Sequence, residues 1–180
     1  MKSLQGHFLI AAPQLIDPNF ARSVVLLVKH DDEGALGLIV NRPLETTLAE
    51  VCEQILEFNC DTADVIFQGG PCEGPMMVLH GDADLSQIHV GKGLEFTTER
   101  DHIEALLRQE RAPLKCFVGY AGWTAGQLET EIESGSWFST AADPRHVFDA
   151  GHDLWIRLKT QAHLSQWIDP ERIPDDPSVN

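Results

Sequence analysis

"SVVLLVKHDDEGALGLIVN", Ser23–Asn41, has the pattern of two buried strands about a tight turn. Ser23 to His30 is β-branched and almost wholly apolar, as a strand covered on both faces requires. "DDEG" follows, and Gly34 can take the positive φ of a hairpin turn. Ala35 to Asn41 then returns as a second apolar run, so the two strands pair antiparallel. A regular βαβ chain would place a helix where this one places a short turn.

The flanking segments extend the same pattern. Phe8 to Ala12 is a short apolar strand stopped by Pro13, and Asp17-Pro18 sets a bend before Ser23. Thr47 and Glu50 form a capping box for "LAEVCEQILEFN", whose Leu48, Val51, Cys52, Ile55 and Leu56 recur at helical spacing. "DVIFQGG", "PMMVLH" and "IHVGKGLEFT" are short strand candidates interrupted by glycine. "TERDHIEALLRQE" is an amphipathic helix with Ile103, Leu106 and Leu107 on its apolar stripe. "LKCFVGY" is a strand, and a last helix over about His152–Lys159 carries Leu154, Trp155 and Leu158. The expected fold is α+β: a single domain over residues 1–168, built on a large mixed, largely antiparallel sheet with flanking helices. The proline-rich acidic tail 169–180 follows it.

Composition narrows the functional classes. A chain of 180 residues, 43% hydrophobic and 23% charged, has enough apolar content for a substantial core. No apolar run approaches the roughly 20 residues of a membrane span. The apolar stretch near the start, Phe8 to Ala12, is shorter than the about 7–15 residues of a secretory signal core. The expectation is therefore a cytoplasmic protein without membrane attachment. Cys52, Cys60, Cys72 and Cys116 form no CxxC, and the histidines form no HxxH, so neither a disulfide framework nor a metal site is expected. Thirteen Lys and Arg against 28 Asp and Glu give a net charge of −15. Nucleic-acid binding draws its affinity from neutralised phosphates and needs a basic face, so direct binding to DNA is not expected.

Three segments are candidates for a site, each directly after an apolar strand: "NRP" (Asn41, Arg42, Pro43), "QGGP" (Gln68, Gly69, Gly70, Pro71) and "GYAGW" (Gly119 to Trp123). Strand ends are where a rigid scaffold presents loops for binding. Glycines at Gly69, Gly70, Gly119 and Gly122 permit close approach of backbone to backbone or to a ligand. In the helix after "GYAGW", Thr124 and Gln127 fit a capping box that starts it at Ala125. Leu128 and Ile132 face the core, Gln127 and Glu131 lie on its border, and Glu129 and Glu133 point to water. Glu131 is the candidate functional carboxylate, with Arg42 its prospective partner; as an acid or base it would act with Arg42 or Tyr120 steadying the substrate. Trp123 would floor a site at one edge of the sheet, walled by Gln127 and Glu131. Each residue also has a structural alternative: capping, ion pairing or core filling. No Gly-x-Ser-x-Gly elbow, P-loop or other catalytic or cofactor motif is present. Cys72, in its loop, is the leading candidate for a reactive thiol.

Together, "GHFLIAAPQLIDPNFARSVVLLVKH", "GALGLIVNRP", "QGGPCEGPMMVLH" and "GYAGWTAGQLETEIESGSW" resemble the AlgH/YqgE family of bacterial proteins over essentially the whole chain. The closing "PSVN" is similar to the family's ending. The resemblance implies an α+β fold around a large mixed sheet. It also implies a link to transcriptional control, with no established molecular activity, cofactor or catalytic residue. The charge directs any such role through a protein partner or small ligand; the alternative is a small-molecule enzyme using Glu131 in a strand-end cleft.

Overall fold

The hairpin at Ser23–Asn41 is present: β2 (Val24–Asp31) pairs antiparallel with β3 (Gly34–Ile39), Val25 opposite Ile39 and Asp31 opposite Gly34. Gly34 has φ +137°, and a Cβ there would stand 2.2 Å from the Trp123 carbonyl oxygen. The turn therefore requires glycine both for its conformation and for the strand crossing beside it. The computed structural model describes residues 2–56, 60, 62–109, 113–149, 151 and 153–167. The tail 169–180 and the start of the last helix at His152 lie outside the described residues.

The strands divide between two sheets. β2 and β3 belong to the first, together with β1 (His7–Ala11), β10 (Ala121–Thr124) and β11 (Trp137–Ala141), in the order β10-β3-β2-β1-β11. Every pairing in it is antiparallel. The second sheet holds β4 (Pro43–Thr47), β5 (Val65–Gln68), β6 (Met77–His80), β7 (Ile88–Gly91), β8 (Leu94–Thr97) and β9 (Leu114–Val118). Its order is β4-β5-β9-β6-β8-β7, and β5 runs parallel to β9 while its other pairs are antiparallel. The fold is α+β with largely antiparallel strands, as expected, distributed over two sheets.

Burial explains the layering. Phe8, Leu26 and Leu38 of the first sheet meet Leu79, Phe96 and Phe117 of the second in one apolar cluster. Because side chains alternate along a strand, the intervening residues face outward and need cover of their own. On the outer face of the first sheet, Leu9, Val25, Leu27 and Trp123 are covered by α3 (Gln127–Glu133), through Leu128, and by the 15–20 segment. On the outer face of the second, Ile66, Val78 and Cys116 are covered by α1 (Leu48–Val51) and α2 (Arg100–Gln109). That double cover is why β2 reads as a continuous apolar run. The inter-sheet cluster also receives Val147 of α4 (Pro144–Phe148) and Leu154 and Leu158 of α5 (Leu154–Trp167).

The capping box at α1 forms as expected: Thr47 Oγ1 accepts from the Glu50 N–H, and Glu50 accepts from the Thr47 N–H. The helix then continues as a π-helical turn over Cys52–Leu56. α3 begins at Gln127 rather than at Ala125. Its N-cap is Gly126 with φ +75°, while Gln127 Oε1 reaches back to the Thr124 N–H at 3.1 Å. The left-handed glycine displaces the helix start by two residues.

Candidate functional site

The three strand-end segments do come together, mainly through backbone. The Arg42 carbonyl accepts from the Gln68 N–H, and the Gly69 carbonyl from the Ile39 N–H. Gly69 donates in turn to the Val118 carbonyl, and Cys72 and Tyr120 exchange a reciprocal pair of N–H···O bonds, 3.0 Å each. The crossing is very close. A Cβ on Gly69 would stand 2.3 Å from the Gly119 oxygen, and one on Gly70 2.2 Å from the Tyr120 carbonyl carbon. Gly119 itself sits at φ +71°. These glycines let the loops after β5 and β9 cross in contact.

A groove of about 570 Å³ opens at this crossing. Leu44 of β4, Pro71, Cys72 and Val118 give it apolar surface, Gln68 and Glu73 give it polar groups, and among the described residues no Lys or Arg lines it. It lies at the C-terminal ends of β5 and β9, the parallel pair of the second sheet. Such ends are common ligand positions because loops diverge there above a rigid sheet.

Asn41 and Arg42 are committed elsewhere. Asn41 Oδ1 accepts from the Val24 N–H at 2.9 Å and its Nδ2 donates to the Arg22 carbonyl at 3.0 Å. Between these bonds Arg22 is held at φ +57°, the positive φ of a non-glycine residue. The Arg42 guanidinium donates to the carbonyls of Pro18, Asn19 and Ala21. Its burial lowers its pKa, partly opposed by Asp17. The "NR" pair thus staples the 17–23 segment, and Arg42 does not pair with Glu131.

Trp123, Gln127 and Glu131 form a separate cluster on the outer face of the first sheet. Glu131 Oε2 accepts from Trp123 Nε1 at 2.9 Å and Trp137 Nε1 at 2.8 Å, and Oε1 accepts from Gln127 Nε2 at 3.0 Å. The two indoles meet edge to face, 6.1 Å between centroids, with Phe20 against both. The expected wall and floor are therefore not part of the groove. Trp123 faces α3, whereas the Tyr120 ring packs against the inter-sheet cluster. Exposed Gly122 lies beside that ring, where a Cβ would meet it at 3.3 Å.

Glu129 departs from its expected place in water. It accepts from His30 Nε2 at 2.9 Å, while His30 Nδ1 accepts from the Leu4 N–H. Its own backbone N–H and the His30 contact lower the carboxyl pKa. A second polar group hidden from sequence is Lys115, 6% exposed. Its ammonium donates to the Val40 and Val147 carbonyls at 3.1 and 2.8 Å and lies 3.9 Å from the Phe67 ring centre. Burial pushes its pKa down to about 8, partly opposed by Asp149. Charge in the middle of "LKCFV" was the available signal, but alternation alone assigns it to solvent. His80 is fully buried, its Nδ1 accepting from the Asp82 N–H and its Nε2 meeting no hydrogen-bond partner among the described residues. Among the described residues no three His, Cys, Asp or Glu converge as metal ligands, and no helix is long and apolar enough to cross a membrane.

Two packed sheets, helices on both outer faces and a groove at the ends of β5 and β9 define an α+β protein. The same architecture is found in the solution structure of AlgH from Pseudomonas aeruginosa. That likeness has a TM-score of 0.74 at 34% identity and covers 99% of this chain and 97% of that one. A Corynebacterium diphtheriae crystal structure matches with a TM-score of 0.73 at 26% identity, over 89% and 88%. A UPF0301 protein of Stenotrophomonas maltophilia is 44% identical over 154 residues, 81% of each chain, and one of Stutzerimonas stutzeri 43% over 159 residues, 83% of each. The family model described as AlgH-like matches residues 8–165, and the chain belongs to that family.

Proposed function

We propose that this protein acts by binding a small ligand, or a short segment of a protein partner, in the groove at the ends of β5 and β9. The observation that supports this is the groove itself: about 570 Å³, mixed in polarity and held by backbone bonds between its loops. That volume lies in the range of ligand pockets, roughly 300–1,000 Å³. Glu73, with no Lys or Arg beside it among the described lining residues, favours a neutral or cationic occupant. Any influence on transcription then passes through the occupant or a protein partner, since a net charge of −15 opposes direct contact with DNA. The enzyme alternative at Glu131 gains no support, because that carboxylate is engaged by three N–H donors in a packed cluster.

The test is a thermal-shift screen of small metabolites on the wild type, Gln68→Trp and Glu131→Gln. A ligand at 100 times its Kd adds about 2.7 kcal/mol. The expected hit is lost in Gln68→Trp, which fills the groove, and kept in Glu131→Gln. A hit indifferent to Gln68→Trp would overturn the site. Tight, salt-dependent binding to duplex DNA at about 0.15 M salt would overturn the mode of action.

A further inference from the structure

Cys52, Cys60 and Cys116 are scattered in sequence, yet all three pack in the cluster beneath α1 and α2. Cys52 is fully buried and begins the π-helical turn; its N–H bonds to the Leu48 carbonyl. The Cys60 thiol donates to that same carbonyl at 3.7 Å. Both cysteines therefore converge on one backbone oxygen, the Cys52 backbone N–H and the Cys60 thiol sharing the Leu48 carbonyl within the same apolar cluster. Cys60 is half-buried, so one thiol of the pair meets solvent and the other does not. Cys116, on β9, is close to both but buried.

We infer that Cys52 and Cys60 are a dithiol that closes reversibly to an intramolecular disulfide, with Cys60 as the entry thiol and Cys52 as the resolving one. The oxidant is a low-molecular-weight disulfide. The Cys60 thiolate attacks one of its sulfurs, forming a mixed disulfide and expelling one thiolate. Cys52, after giving its proton to solvent, attacks the Cys60 sulfur and expels the second thiolate. The protein loses two hydrogens and the oxidant becomes two thiols. Closure brings the two sulfurs to about 2.05 Å by a shift at the junction of α1 and the π-helical turn.

Burial and the Cys60 contact push the Cys52 thiol up to about 12. The thiolate is the attacking species, so the closing step quickens about tenfold for each pH unit below that value.

The experiment incubates the folded chain with excess oxidised glutathione, well below its unfolding midpoint. Free thiols are then counted after denaturation, and the disulfide is mapped by peptide mass spectrometry. The expected result is a loss of two thiols, a Cys52–Cys60 cross-linked peptide and full reversal by dithiothreitol. Cys72→Ser should leave the cross-link intact. Cys60→Ser, at a half-buried position, should abolish it and leave Cys52 unmodified. Cys52→Ala should stop the reaction at a mixed disulfide on Cys60. Modification confined to Cys72 overturns the inference, as does a cross-link that forms only above the unfolding midpoint or a closing rate independent of pH.

Discussion

At Glu131 one carboxylate replaces water for two buried indoles. Removing it orphans both indole N–H groups, while the exposed Gln127 amide turns to water, and an unsatisfied buried donor costs about 1–3 kcal/mol. Glu131→Ala should therefore lower unfolding stability by about 2–4 kcal/mol. Its denaturant m-value should stay unchanged, and any ligand found at the groove should still bind. A loss of binding without loss of stability would move the site back to α3. Lys115 gives the pH prediction. Its pKa is about 8 in the folded protein against an ordinary 10.5. Between those values the unfolded chain holds the extra proton, so stability rises with pH through that window. Below about pH 8 both states carry the charge and the dependence flattens. Denaturant unfolding at intervals from pH 7 to 10.5 should show this rise in the wild type and not in Lys115→Met.

Among the elements, the crossing of the β5 and β9 loops is the least tolerant. Gly70→Ala drives a methyl into the Tyr120 backbone at 2.2 Å, where no flexible side chain can give way. A loss of about 3 kcal/mol or more, or failure to fold, is expected. Gly126→Ala has the opposite geometry: nothing within 4 Å of the new Cβ, but φ +75°. It should cost only about 1–2 kcal/mol, the penalty of the left-handed region alone. Thermal unfolding of the two variants side by side separates steric closeness from backbone conformation. These elements also show what the sequence could disclose. The β2–β3 hairpin, the α1 capping box and the stripe of α2 were legible because each is a local pattern with its own period or cap. β4, β10 and β11 were not: they are short, mostly exposed or interrupted, and defined by long-range partners such as β1, β3 and β5. The meeting of "NRP", "QGGP" and "GYAGW" could be read from glycines at strand ends. The separation of Trp123, Gln127 and Glu131 from them could not, because it depends on which face of β10 meets α3.

For the whole molecule, charge dominates the solution behaviour. A net charge of −15 on 180 residues repels itself in the compact state, and the Debye length falls from about 30 Å at 0.01 M salt to about 8 Å at 0.15 M. The melting temperature should accordingly rise as sodium chloride increases from about 0.02 to 0.5 M. A flat or falling curve would show that local ion pairs such as Arg100–Glu104 and Lys29–Asp31 outweigh the global repulsion.

The edge-to-face indoles of Trp123 and Trp137, 6.1 Å apart and tethered to one carboxylate, also form an optical gauge. Two chromophores held at that distance and angle couple their transitions, giving a paired signal of opposite sign in circular dichroism. Because the coupling depends on both rings keeping their orientation, the couplet should vanish as soon as α3 lifts from the first sheet. The outer layer thereby reports its own opening in a spectrum, separately from the loss of strand signal that marks unfolding of the two sheets.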